Sequence, residues 1–202
     1  MMFDQSATGA MLIFWLTIAL SAMGLWGSPK FIERSVFRPY WYLRRRQYET
    51  ALTSGFVHAD LGHLFFNMMT FYFFAFPLER YIGTVKFVAL YFLGLLMSDL
   101  GTYLKQRNNP DYATLGASGA ISAVLFAFIV YFPTQKLFIF LLPIPIPAPL
   151  FAVGYLAYTY YSARHAQGYI NHDAHMAGAV TGLVFVAFTD PGAYVDLLRY
   201  LA

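Results

Sequence analysis

The chain has 202 residues, of which 59% are hydrophobic and 11% charged, with a formal net charge of +3. A soluble domain carries about 25% charged residues, so this composition excludes an ordinary water-facing surface, and no long basic tract points to nucleic acid. There is no cysteine, which removes disulfides and thiolate metal sites, and the length fits a single domain over 1–202.

A membrane-crossing helix needs roughly 20 apolar residues, and six segments read as such spans. The first covers about 10–26. It lacks a basic start and an evident small-x-small cleavage site, so it reads as a retained helix rather than a cleavable signal. A polar loop with Lys30, Glu33, Arg34, Arg38 and Arg44-Arg45-Arg46 follows, in which Tyr40, Trp41 and Tyr42 read as interfacial anchors. The second span covers about 61–77 and the third about 85–105. The fourth covers about 115–133. Alternating prolines over 143–149 cannot sustain helical hydrogen bonds and read as a bend. The fifth span covers about 148–162 and the sixth about 174–188.

Six spans put both termini on one side. They also place the loops after spans one, three and five together on the other side, here called side A. Spans two, four and six therefore enter the bilayer from side A, and each opens with polar residues that are costly in lipid. Span two opens with His58, Asp60, His63 and Asn67; His63 and Asn67 are four apart and share a helix face. Span four opens with Gly116-Ala117-Ser118-Gly119, and span six with His172, Asp173 and His175, followed by Gly178 and Gly182.

One cavity holding these groups has the parts for acyl transfer. Ser118 is a nucleophile once a base takes its proton, and His175 can take and return that proton. The oxyanion that forms needs preorganised donors, which His63, Asn67 and a backbone N–H near Ser118 can supply. Gly116 and Gly119 permit close backbone approach. Each cluster also has a plainer reading. Gly-Ala-Ser-Gly can be a helix-packing surface, a lone membrane histidine an interhelical hydrogen-bond partner, and Gly178-x-x-x-Gly182 a small-residue contact. His58, His165 and His172 read as loop or interface residues. Glu79-Arg80 reads as a helix cap or a charge pair without chemistry. Two transporter-like histidines and an asparagine would leave the serine motif unexplained, and a zinc protease lacks its His-Glu-x-x-His. Three polar clusters at one depth favour a shared site.

Three motifs resemble the rhomboid intramembrane serine proteases. They are His58-Ala-Asp-Leu-Gly-His63-Leu-Phe-Phe-Asn67-Met68, Gly116-Ala-Ser118-Gly119 and Ala174-His175-Met-Ala-Gly178-Ala-Val-Thr-Gly182, in family order. The resemblance runs from about residue 28 to 190. It implies an all-α, polytopic, six-transmembrane-helix bundle and a serine endopeptidase with a Ser118–His175 dyad. An oxyanion site from His63, Asn67 and the Ser118 N–H is implied, with no metal and no cofactor. The implied partners are transmembrane protein substrates and the lipid bilayer, not nucleic acid. It places the loop around 39–48 partly in the membrane interface and makes span five, with residues 164–171, a gate. A related reading is a non-catalytic rhomboid-like protein that binds membrane clients.

Two positions depart from the family. Ser122 stands where an aromatic residue often stacks beneath the catalytic imidazole, so either another side chain orients His175 or its orientation is looser. Glu49-Thr50 stand where a Trp-Arg pair is usual. Asp173 is two residues from His175 and points elsewhere on a helix. Lys30, Arg34, Arg38, Arg44, Arg45, Arg46, Lys105, Arg107 and Arg164 fall on side A, against Arg80, Lys86, Lys136 and Arg199 opposite. By charge alone side A faces the cytoplasm. The resemblance implies the reverse, a plasma (inner) membrane protein whose site opens on the extracytoplasmic side.

Overall fold

The computed structural model describes residues 6–139, 142–165 and 170–202. Helix α1 is Thr8–Ala22, prolonged by a π-helical turn at Met23–Gly27. The first loop folds into short helices α2 (Pro29–Ser35), α3 (Pro39–Arg44) and α4 (Thr50–Thr53), the last followed by a 3-10 turn at Ser54–Phe56. Helices α5 (Leu61–Ile82), α6 (Thr84–Gln106) and α7 (Ser118–Tyr131) come next. A small hairpin, β1 (Lys136–Ile139) and β2 (Leu142–Pro147), leads to α8 (Ala148–His165), α9 (His172–Thr189) and α10 (Gly192–Leu201). The fold is an all-α polytopic bundle, with α1, α5, α6, α7, α8 and α9 at the six expected spans.

Among the described residues, three stretches are by themselves long and apolar enough to cross a bilayer: 8–27, α5 and α6. Helices α9 and α10 reach that criterion only as a pair bent by 114°. The remaining helices fall short for identifiable reasons. Helix α8 ends in Tyr160-Tyr161-Ser162-Ala163-Arg164-His165, and α9 begins with His172-Asp173-Ala174-His175. Helix α7 has only 14 residues, about 21 Å at 1.5 Å per residue, against a hydrocarbon core of about 30 Å. It does not have to meet lipid at either end, because thirteen of its residues are buried by its neighbours. Its N-terminus, which carries Ser118, is recessed within the bundle.

Two sequence expectations are corrected. Span two does not stop at Pro77, since α5 continues to Ile82 with Pro77 inside it. A proline removes one backbone hydrogen bond, and membrane helices tolerate that where neighbours cover the gap. The chain then reverses at Gly83, whose φ of 83° is in the region glycine enters without strain. The proline-rich stretch is not a simple bend. Residues 142–147 form a strand paired antiparallel with β1, with Leu137 opposite Ile146. Prolines at every second position leave the intervening isoleucines to supply N–H groups, a pattern open to an edge strand and closed to a helix.

The loops assigned to side A are bonded to one another. Phe37 and Thr114 exchange two backbone hydrogen bonds of 2.9 and 3.0 Å, joining loop one to the loop after α6. Asn171, ahead of α9, donates from its amide to Thr114 (3.2 Å) and Thr102 (2.8 Å). In the first loop, the guanidinium of Arg44 lies 3.9 Å from the Tyr40 ring centre and that of Arg45 lies 3.8 Å from that of Trp41. Such cation–π pairs occupy the charges on amphipathic rings. At the opposite end, Glu79 caps a helix other than its own. Its buried carboxylate accepts the first-turn N–H groups of Gly9 (2.8 Å) and Ala10 (2.5 Å) and the Thr84 hydroxyl (2.7 Å), an anion at the positive end of α1.

Helices α6, α7 and α9 hold the core through small residues. A Cβ at Gly178 would collide with the carbonyl of Gly119, one at Gly182 with that of Ala123, and one at Gly94 with the Ala123 side chain. Backbones this close gain dispersion contacts that larger residues would prevent.

Candidate active site

The site begins with the chain break that ends at Ser118. Gly116 has φ +114°, which a side chain would strain, and its N–H donates to the Ser54 carbonyl at 2.9 Å. From that turn α7 starts at Ser118, with Ala117 as its N-cap. The N–H groups of Ser118, Gly119 and Ala120 therefore have no acceptor within the helix.

His58 supports this turn from beneath. Expected at a loop or interface, it is fully buried instead. Its Nε2 lies 3.5 Å from the Ala117 N–H, its Nδ1 lies 2.9 Å from Ser21 Oγ, and Ser21 reaches the Phe56 carbonyl at 3.1 Å. One assignment satisfies all three: Ala117 N–H donates to Nε2, Nδ1–H donates to Ser21, and the Ser21 hydroxyl donates to Phe56. That assignment needs a neutral ring. Burial drives the His58 pKa down to about 3, with the neighbouring His63 adding to the effect and Asp60 opposing it. His172, also expected at an interface, is buried as well.

Helix α5 brings up the next pair. Asp60 caps it by accepting the His63 N–H at 2.8 Å. The His63 ring meets His58 edge-on, 4.8 Å between centres, and packs against Gly116, where a Cβ would come within 2.7 Å of His63 Nε2. Asn67 is buried, and one of its amide hydrogens goes to the His63 carbonyl at 2.9 Å, leaving the second for another acceptor. Gly119 faces Ser98 of α6 and the carbonyl of Ala174, a protein contact rather than an open approach.

Helix α9 supplies the candidate base. Asn171 caps it, accepting the Ala174 N–H at 3.0 Å, and one residue later His175 turns toward α7. Its Nε2 lies 2.7 Å from Ser118 Oγ, a hydrogen-bond length typical of activated pairs. Asp173 points away, 2.9 Å from Lys105 Nζ, which also donates to the Ala163 carbonyl at 2.5 Å. Among the described residues no carboxylate is bonded to His175, and no group of three histidine or carboxylate side chains is placed to hold a metal.

The ring beside His175 comes from an unexpected quarter. Tyr155 of α8 lies near-parallel to the imidazole, 6.5 Å between centres and 27° between planes. Its hydroxyl is 2.9 Å from Ser122 Oγ, and Ser122 in turn donates to the Ser118 carbonyl at 2.9 Å. Sequence reasoning missed Tyr155 because α8 also holds Tyr158, Tyr160 and Tyr161 and no spacing sets one apart. The only hint was the missing aromatic at Ser122. Residues 166–169 of the expected gate loop lie outside the described residues.

Comparison with known proteins agrees with this architecture. Residues 45–190 match the family described as the Rhomboid domain. The chain is 28% identical over 177 residues to Rhomboid protein 1, mitochondrial, of Saccharomyces cerevisiae, covering 84% of this chain and 50% of that protein. It is 28% identical over 150 residues to RHOMBOID-like protein 12, mitochondrial, of Arabidopsis thaliana, covering 67% of this chain and 44% of that protein. A third relative is the Presenilin-associated rhomboid-like protein, mitochondrial, of Rattus norvegicus, 29% identical over 139 residues, covering 68% and 37% respectively. The chain thus matches half or less of the length of these relatives. All three are named as mitochondrial, which overturns the expectation of a plasma (inner) membrane with an extracytoplasmic mouth. Span length and loop charge report a bilayer and its sidedness, and neither names the organelle.

Proposed function

Since the chain belongs to the rhomboid family of intramembrane proteases, we propose that it is an active serine endopeptidase that hydrolyses peptide bonds in or near the transmembrane segments of membrane proteins. The observation that carries this reading is the 2.7 Å contact between Ser118 Oγ and His175 Nε2, made at the recessed start of a buried helix. With the imidazole proton on Nδ1, Nε2 accepts the Ser118 proton as Oγ attacks the scissile carbonyl. The charge that develops on the carbonyl oxygen meets the unpaired N–H groups at the start of α7, together with the positive end of that helix. Asn67, through its second amide hydrogen, and His63 beside Gly116 complete the donor set. The imidazolium then returns its proton to the departing amine, leaving an acyl group on Ser118. Water, deprotonated by His175, attacks that ester and releases the second product. No step requires a metal or a cofactor. Residues 1–202 would act as one domain, because α1, α5, α6, α7, α8 and α9 all contribute to the core or the site.

The test is labelling with a fluorophosphonate probe in lipid, with Ser118→Ala and His175→Ala beside the native chain. Labelling and cleavage of a model transmembrane substrate should fall by about 10⁴-fold or more in each variant, and chelator should leave the native activity intact. A folded native chain that is not labelled in any lipid would replace this reading with a client-binding one.

A further inference from the structure

The proposed chemistry needs the imidazole of His175 held in line with Ser118, and its support spans two helices. On one face is Tyr155, whose ring sits near-parallel at 6.5 Å, inside the 4.5–7 Å range of offset ring pairs. Tyr155 is itself held between Phe151 (5.9 Å, 30°) and Phe126 of α7 (5.4 Å, 58°). The hydroxyl chain has a fixed direction. Ser122 has one hydrogen, which goes to the Ser118 carbonyl, so at 2.9 Å the Tyr155 hydroxyl donates and Ser122 Oγ accepts. Tyr155 therefore touches both halves of the dyad, the base through its ring and the nucleophile's own backbone through Ser122.

What makes this more than packing is where Tyr155 is anchored. Of the eighteen residues of α8, only Ala148, Thr159 and Ser162 are buried, and Gly154 has nothing within 4 Å of where a Cβ would stand. The helix is the least enclosed wall of the site, whereas Ser118 and His175 belong to α7 and α9, which interlock backbone to backbone. We propose that Tyr155 is a positioning residue that aligns His175 only while α8 is seated, so the movement of α8 controls both access to the dyad and its alignment. The proposal rests on the protease reading. A substrate that enters by displacing α8 meets an imidazole without its ring, and catalysis waits until α8 closes again with substrate inside.

The experiment is steady-state cleavage of a transmembrane substrate in lipid vesicles by the native chain, Tyr155→Phe, Tyr155→Leu and Tyr155→Leu/Ser122→Tyr. Leucine keeps apolar bulk in α8, so the fold is retained while the ring is lost. Tyr155→Leu should lower kcat by about 10–100-fold, the scale of a small misplacement in an active site, with KM within about threefold. Tyr155→Phe keeps the ring and should lose less than about fivefold. Adding Ser122→Tyr to Tyr155→Leu supplies an aromatic ring from α7 and should recover most of the lost kcat. Unchanged or raised kcat in Tyr155→Leu would overturn the proposal and leave α8 as a door only. So would a loss that Ser122→Tyr does not relieve. An inactive native chain would instead bring down the protease reading, a result distinct from either.

Discussion

Helices α7 and α8 both border the site, and they are built on opposite terms. Helix α7 buries thirteen of its fourteen residues and lets α9 approach until glycine meets carbonyl. Helix α8 buries three of eighteen and turns Leu150, Val153, Tyr158, Tyr160 and Tyr161 outward. Ser118 and His175 are thus on the part that cannot yield, and the Tyr155 ring beside His175 is on the part that can. The proposed protease would need both, because attack needs fixed geometry and a helical substrate needs a way in.

The rigid contact is most vulnerable at Gly178. Gly178→Leu should drive a side chain into the Gly119 carbonyl and cost about 1–3 kcal/mol, or prevent assembly altogether, read as the thermal midpoint in detergent and as lost probe labelling. A neutral outcome would mean the α7–α9 contact is not the rigid element argued for. Acidity acts on the same rigid side through His58. His58 lies in the loop ahead of α5 and is held neutral, its pKa lowered to about 3 from an unfolded value near 6.5. Its contribution is therefore complete above about pH 6.5 and is lost as pH falls toward 3. The stability advantage of the native chain over His58→Gln should shrink by about 2 kcal/mol between pH 7 and 5, at 1.36 kcal/mol per unit. A pH-independent difference would show that His58 is not a neutral brace under Ala117. The smallest effect is on α8. Gly154→Ala meets open space and should raise helix stability by up to about 1 kcal/mol, visible as a small rise in the midpoint. A loss there would mean that α8 is packed more tightly than its exposure indicates.

The bundle was legible in the sequence because apolar length is a one-dimensional signal. All six expected spans coincide with helices, and even the short α7 was marked by Gly116 before it and Pro133 after it. Ser118 and His175 could be paired from depth and chemical type, and the geometry places them 2.7 Å apart. Three things were not legible, each for a physical reason. Helix α5 runs through Pro77 because the cost of a proline depends on what surrounds it, which local sequence does not record. The strand at 142–147 is visible only with its partner, since pairing across a hairpin is not a property of either segment. Tyr155 belongs to the site by virtue of where α8 leans, and four tyrosines on one helix look alike until that is known.

The Glu79 cap has a consequence for the order in which the chain matures. The donors it satisfies are at Gly9 and Ala10, about seventy residues upstream. Helix α1 is synthesised before α5, so the N–H groups of Gly9 and Ala10 lack their carboxylate acceptor until the α5–α6 turn has been made. In lipid an unmet N–H is expensive, so until then the start of α1 must stay at a hydrated surface. Helix α1 is thus fastened only after α5 has been made. A chain released before Glu79 is in place would carry α1 inserted but undocked.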